Sequence, residues 1–144
     1  MCLITNKKKQ IAAEDIVVYK VLSSDLRSPY QCFQYEYGTE YTTEITTTTD
    51  ETDICCFCSL DENHLSQNYP GWRYGLPKDL ECYQNGFHSI SEIALEELKQ
   101  RDFFDDIVGC GEKLFQCIIP KGSTYVEDFV GFIVSSSIII VKEA

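Results

Sequence analysis

The sequence predicts a single α+β domain: a mainly antiparallel sheet of six to eight short strands with one main helix. Three observations predict it. Several short segments are either β-branched on both faces or alternate polar and apolar residues with period two. One segment alone combines helical periodicity with the spacing of a capping box. The 144 residues are 44% hydrophobic, enough for one core and too few for two ordinary domains, so 1–144 reads as one unit.

The elements follow in order. A short apolar run at 2–5 stops at Asn6, and Lys7, Lys8 and Lys9 form a charged turn. Segment 16–22 is apolar on both faces and predicts a central strand. Segment 30–37 alternates, with Phe33, Tyr35 and Tyr37 on one face, and predicts a half-buried strand. Gly38 and Thr39 then turn the chain into 40–45, so these two segments predict a hairpin. Residues 46–80 read as an irregular segment, acidic and Thr-rich at first, with Trp72 and Tyr74 as anchors.

Asn85-Gly86 is a turn signal. Ser89 and Glu92 have the Ser-x-x-Glu spacing in which the hydroxyl takes the N3 amide and the carboxylate returns to the N-cap amide. A helix is expected over 90–101, with Ile90, Ala94, Leu95 and Leu98 as its buried stripe. Segment 113–119 predicts a strand with Phe115, Cys117 and Ile119 on one face. Pro120-Lys121-Gly122 is a turn, 124–129 a short strand, and 132–141 the closing strand.

Composition excludes some functions. Asp and Glu number 23 against 12 Lys and Arg, a net charge of −11, so no general attraction to nucleic acid or anionic lipid is expected. The N-terminal apolar run is too short for a signal peptide, and a cytoplasmic location is expected. A cytoplasmic chain with this much core needs no disulfide framework, so all eight cysteines are expected as free thiols.

Candidates for chemistry are few. Cys55-x-x-Cys58 has chelating spacing, with Cys56, His64, Cys82 and His88 nearby in sequence. A tetrahedral site needs a second pair, and none has matching spacing, so no metal is expected. There is no Gly-x-Ser-x-Gly elbow and no Gly-rich phosphate loop with its lysine. No catalytic residue and no cofactor are assigned. A protein partner is left open.

Several segments carry a resemblance. They are Met1-Cys2-Leu3-Ile4, Val17-Val18-Tyr19-Lys20-Val21, Tyr30-Gln31-Cys32-Phe33-Gln34-Tyr35, Gly86-Phe87-His88-Ser89, and Ile119-Pro120-Lys121-Gly122-Ser123-Thr124-Tyr125 before an Ile-Ile-Ile-Val strand. In this order they resemble a family of small proteins from gut bacteria and their phages, to which no activity is attached. An acidic surface, a Thr-rich segment and the lack of a complete catalytic set point to a small accessory or interaction module without catalysis.

The same order also resembles the mono-ADP-ribosyltransferase fold. That family has an early strand ending in Arg or His, a middle Ser-Thr-Ser-type strand before elements that hold nicotinamide, and a late strand with a catalytic Glu. The matching positions are Tyr19-Lys20, His88-Ser89-Ile90-Ser91 and Val134-Ser135-Ser136-Ser137. Lys20 stands in the Arg position, and the late segment has no glutamate. Nothing there would stabilise an oxocarbenium ion, so the resemblance implies a sheet layout and not transferase activity. The alternative it implies is a nucleotide- or NAD-binding relative that lacks the catalytic Glu.

If a ligand binds, the expected site lies beside Tyr19, Lys20, His88 and Ser89. Two strands would carry these residues, and a helix starting near Ile90 would aim its free amides and partial positive charge there. The structural alternatives are a snorkelling Lys20, a hydrogen-bonded core His88 and an N-cap Ser89.

Overall fold

The computed structural model describes residues 3–28, 33–48, 81–83, 85–100 and 111–144. The first strands are β1 (Leu3–Thr5), β2 (Gln10–Ile11), β3 (Ile16–Ser23), β4 (Glu40–Thr42) and β5 (Thr47–Thr48). Then come β6 (Glu81–Tyr83), β7 (Phe87–Ser91) and the helix α1 (Glu92–Gln100). β8 (Glu112–Ile119), β9 (Thr124–Glu127), β10 (Phe132–Ser135) and β11 (Ser137–Glu143) complete the chain.

The class is α+β. Among the described residues one helix accompanies an eight-stranded antiparallel sheet of order β2-β9-β10-β7-β3-β8-β11-β4. Three short strands form a second sheet, β1-β6-β5. β3 is central because Val and Ile populate both its faces. It pairs with β8 over its whole length, from Ile16 opposite Ile119 to Ser23 opposite Glu112.

The large sheet curls. β10 and β11 are separated by one residue, Ser136, yet β10 flanks β7 and β11 flanks β8. One bent stretch of chain therefore borders both ends of the run β7-β3-β8. The expected strand 132–141 is thus two strands meeting at a bend. On the far side of that bend the Ser136 amide donates to the Thr124 carbonyl at 2.9 Å, and its carbonyl accepts from the Thr43 amide at 2.8 Å.

The curl encloses the main core. Ile133 from β10 meets Ile138 and Ile140 from β11, together with Val18, Leu22, Phe115, Cys117 and Ile119. Phe115, Cys117 and Ile119 share the inner face, as their alternation requires. The outer face is covered in two places. Ala94 and Leu95 of α1 pack with Ile90, Tyr19 and Leu114. Leu3, Ile45 and Tyr83 pack with Val126 and Val134.

Two expected elements form differently. Within 33–37 there is no strand, only single bridges from Gln34 to Arg27 and from Tyr37 to Ile140. Tyr35 is buried while Phe33 and Tyr37 are exposed. β4 pairs with β11 instead of folding back as a hairpin. The physical reason is that the backbone of 33–35 is engaged by the segment after β3: the Ser28 amide donates to the Phe33 carbonyl at 2.8 Å and the Tyr35 amide to the Leu26 carbonyl at 2.9 Å. Phe33, Tyr35 and Tyr41 meet edge to face with centroids 4.8 to 5.4 Å apart. Residues 30–32, most of 46–80 and 101 lie outside the described residues, as do Trp72 and Tyr74.

The helix also begins later than expected. β7 runs on to Ser91, which pairs with Val18, and helical structure starts at Glu92. The cap is Ser91: its Oγ accepts the Ala94 amide at 3.2 Å. Ser89 lies inside β7 and caps nothing. Strand pairing with both β3 and β10 outweighed the local Ser-x-x-Glu signal.

Candidate functional site

β3 and β7 are paired at Val18–Ser91 and Tyr19–Ile90, and there the ladder ends. The Ser91 amide donates to Gly131, before β10. Alternation then turns the hydrogen-bonding groups of Ile90 and His88 toward β3. The His88 carbonyl is met by a side chain instead of the strand: Lys20 Nζ donates to it at 2.7 Å. A lysine thus bridges the gap where the two strands part.

Lys20 points inward. It alternates with Val18 and Leu22, which are both fully buried. Its cross-strand partner is Phe115, and its ammonium lies 5.8 Å from the centroid of the Tyr35 ring. This is not a lysine snorkelling to a sheet rim. Burial lowers its pKa from the ordinary 10.5 to about 8, with nearby Cys117 opposing the shift. Burial likewise pushes the Cys117 thiol up to about 12, against the pull of Lys20. Tyr35 is raised chiefly by burial, then by Cys117 and Tyr41.

The inner face above Lys20 is filled by the segment after β3. Leu26 takes φ 65°, a left-handed conformation that costs a β-carbon residue about 1–2 kcal/mol. The turn is closed by its amide on the Ser23 carbonyl at 2.9 Å, and its own carbonyl accepts from Tyr35 at 2.9 Å. Both side chains enter the main core. Their burial offsets the backbone strain.

The four expected site residues divide between the faces. Lys20 and Ser89 both lie on the inner face: Lys20 alternates with Val18, and Ser89 pairs with Ile133, both core residues. Ser89 is buried, and its hydroxyl has no hydrogen-bond partner among the described residues. Tyr19 lies on the outer face with α1, where burial and then Glu92 and Glu96 raise its pKa. His88 alternates with Ser89 and so shares the face of Ile90; only its backbone reaches Lys20. α1 packs on that outer face, and Ser91 caps its N-terminus.

The three segments matched to the transferase pattern are adjacent in space. β3 carries Lys20, β7 carries Ser89, and β10 flanks β7. At the third segment, Ser135 Oγ donates to the Ser137 carbonyl at 2.9 Å inside the bend. The chain has serines there, and they close a local turn.

A surface cavity of about 380 Å³ lies elsewhere, on the far side of the Ser136 bend where β4 and β9 separate. Lys9, Thr43, Glu44, Ile45, Thr124 and Ser136 line it. The Lys9 ammonium is held by the Ile45 carbonyl at 3.3 Å. No sequence pattern announces this cavity, because its lining comes from separate stretches that only the bend brings together.

Among the described residues no three His, Cys, Asp or Glu side chains gather to hold a metal ion. Cys55, Cys56, Cys58 and His64 lie outside the described residues. Cys82 and Cys117 are buried thiols. No helix is long and apolar enough to cross a membrane among the described residues. No protein-family model, no curated protein and no solved structure matches the chain.

Proposed function

We propose that this chain is a small, non-catalytic interaction module of the cytoplasm, acting through its surface on a protein partner. One observation carries the reading. Lys20, the cation in the expected site, spends its charge on the His88 carbonyl beneath Tyr35. It serves as a strut between two parting strands. The Cys117 thiol, buried in the main core, suits a cytoplasmic location.

A second reading rests on Ser89. Its buried hydroxyl has no partner among the described residues, and it shares the inner face with Lys20. That pairing favours a nucleotide- or NAD-binding relative of the ADP-ribosyltransferases without their glutamate. A phosphate would have to displace Tyr35 and take Lys20 from the His88 carbonyl.

Isothermal titration with NAD and with ADP-ribose, beside an assay for nicotinamide release, separates the two. The first reading expects no saturable heat and no nicotinamide. Saturable NAD binding that disappears in Lys20→Met, with the fold intact, would establish the second. Nicotinamide release would overturn both.

A further inference from the structure

Three exposed apolar side chains gather where the β9–β10 loop abuts the start of α1. Phe129 is 69% exposed, Val130 49% and Ile93 76%. The loop that presents them is fixed. Asp128 Oδ1 accepts the amides of Val130, Gly131 and Phe132 at 2.8 to 2.9 Å. Gly131 then seats the loop against the helix. Its carbonyl accepts from Ser91 at 2.8 Å, and a Cβ placed on it would lie 2.7 Å from Ala94 Cβ. A surface ordered in advance loses little conformational entropy when it is covered.

Charge differs on the two sides of this patch. Gln10 and Ile11 pair with Tyr125 and Thr124, so the preceding Lys7-Lys8-Lys9 run lies along β9 toward the loop. Lys7 Nζ sits 4.6 Å from the centroid of the Phe129 ring. On the helix side, Glu92, Glu96 and Glu97 are exposed. Glu96 and Glu97 follow Ile93 by one helical turn and share its neighbourhood. Existing ion pairs are exposed and weak: Lys8 with Glu81 at 4.0 Å and Lys99 with Glu96 at 3.6 Å.

The patch therefore runs from lysines through an apolar centre to glutamates. Under a two-fold rotation such a surface complements itself. We infer that the chain self-associates here as an isologous homodimer. Phe129, Val130 and Ile93 form its centre, and Lys7 and Lys8 of one protomer face Glu96 and Glu97 of the other. An anionic lipid or nucleic acid would meet those same glutamates and a chain of net charge −11, so a second copy fits better. This inference concerns a different face from Lys20 and holds under either reading of that site.

Sedimentation equilibrium of the full chain across a hundredfold concentration range tests it. The parent should pass from monomer to dimer mass. Phe129→Asp should weaken association about tenfold or more while its circular dichroism stays native. Lys7→Glu/Lys8→Glu and Glu96→Lys/Glu97→Lys should each weaken it, and an equimolar mixture of the two should restore a dimer. A parent that stays monomeric overturns the inference. So does a dimer indifferent to Phe129→Asp, or a mixture of charge-reversed chains that stays monomeric.

Discussion

Lys20 Nζ donates to the His88 carbonyl at 2.7 Å across the point where β3 and β7 stop pairing. The contact joins residues 68 positions apart in sequence. A backbone acceptor turned toward an absent strand partner costs free energy unless something else satisfies it. Here an ammonium does so, and it is partly desolvated to reach that place.

That desolvation has a measurable sign. The folded pKa of Lys20 is about 8, below the ordinary 10.5. Between these values the unfolded chain holds a proton that the folded chain has released, so rising pH favours the fold. The cost of burying Lys20 is fully present below pH 8 and relieved toward pH 10.5. Parent stability minus Lys20→Met stability should climb by on the order of 2–3 kcal/mol across this window. Tyr35, Tyr83 and Cys117 have raised folded values and pull each separate profile down in alkali. The subtraction removes the two tyrosines and leaves only the part of Cys117 that depends on Lys20. Urea titrations at several pH values supply the curve, and a flat difference would place the ammonium in solvent.

The two serines of β7 give a paired test. Ser91 holds the Ala94 amide, so Ser91→Ala should cost about 1 kcal/mol, the usual loss of an N-cap. Ser89 has a buried hydroxyl without a partner among the described residues, so Ser89→Ala should fall within about 0.5 kcal/mol of the parent or be more stable. Denaturant midpoints decide it. The opposite ranking would make Ser89 the cap.

Two glycines with positive φ separate backbone strain from steric contact. Gly122 has φ +88° and nothing within 4 Å of a built Cβ. Gly122→Ala should cost about 1–2 kcal/mol, from backbone conformation alone. Gly131 has φ +105°, and a Cβ there would run into Ser91 Oγ and lie 2.7 Å from Ala94 Cβ. Gly131→Ala should cost about 2–4 kcal/mol, because overpacking adds to strain. Equal losses would mean that the loop does not press on α1.

Cys117 should resist alkylation in the native state. It is fully buried, and its pKa of about 12 leaves almost no thiolate at pH 8. Iodoacetamide labelling with peptide mass spectrometry should find Cys117 unmodified until the chain unfolds. Thiol titration in denaturant without reductant should count all eight cysteines. Rapid native labelling of Cys117 would show that the inner core opens.

Much of this architecture was legible in the sequence where burial and period agree. Segments 16–22 and 113–119 became β3 and β8, because a strand apolar on both faces, or on alternate residues, has one stable placement in a sheet. The stripe of Ala94 and Leu95 marked the helix for the same reason. These are local patterns, and their energetics are settled within a few residues.

Other features depended on partners far away in the chain. The aromatic alternation at Phe33, Tyr35 and Tyr37 reads as a strand, but Tyr35 instead drops into a core closed by β3, β8 and β11. Ser89 and Ser91 are equivalent as local cap signals; pairing with Val18 and Ile133 carried the strand past Ser89 and gave the cap to Ser91. Lys20 looks like a rim lysine in sequence, and only the parting of β7 from β3 supplied the inward acceptor. The sequence by itself determined which residues must be buried and with what period. Tertiary structure decided which strands pair and where the sheet bends, because those choices satisfy backbone groups that no local pattern can reach.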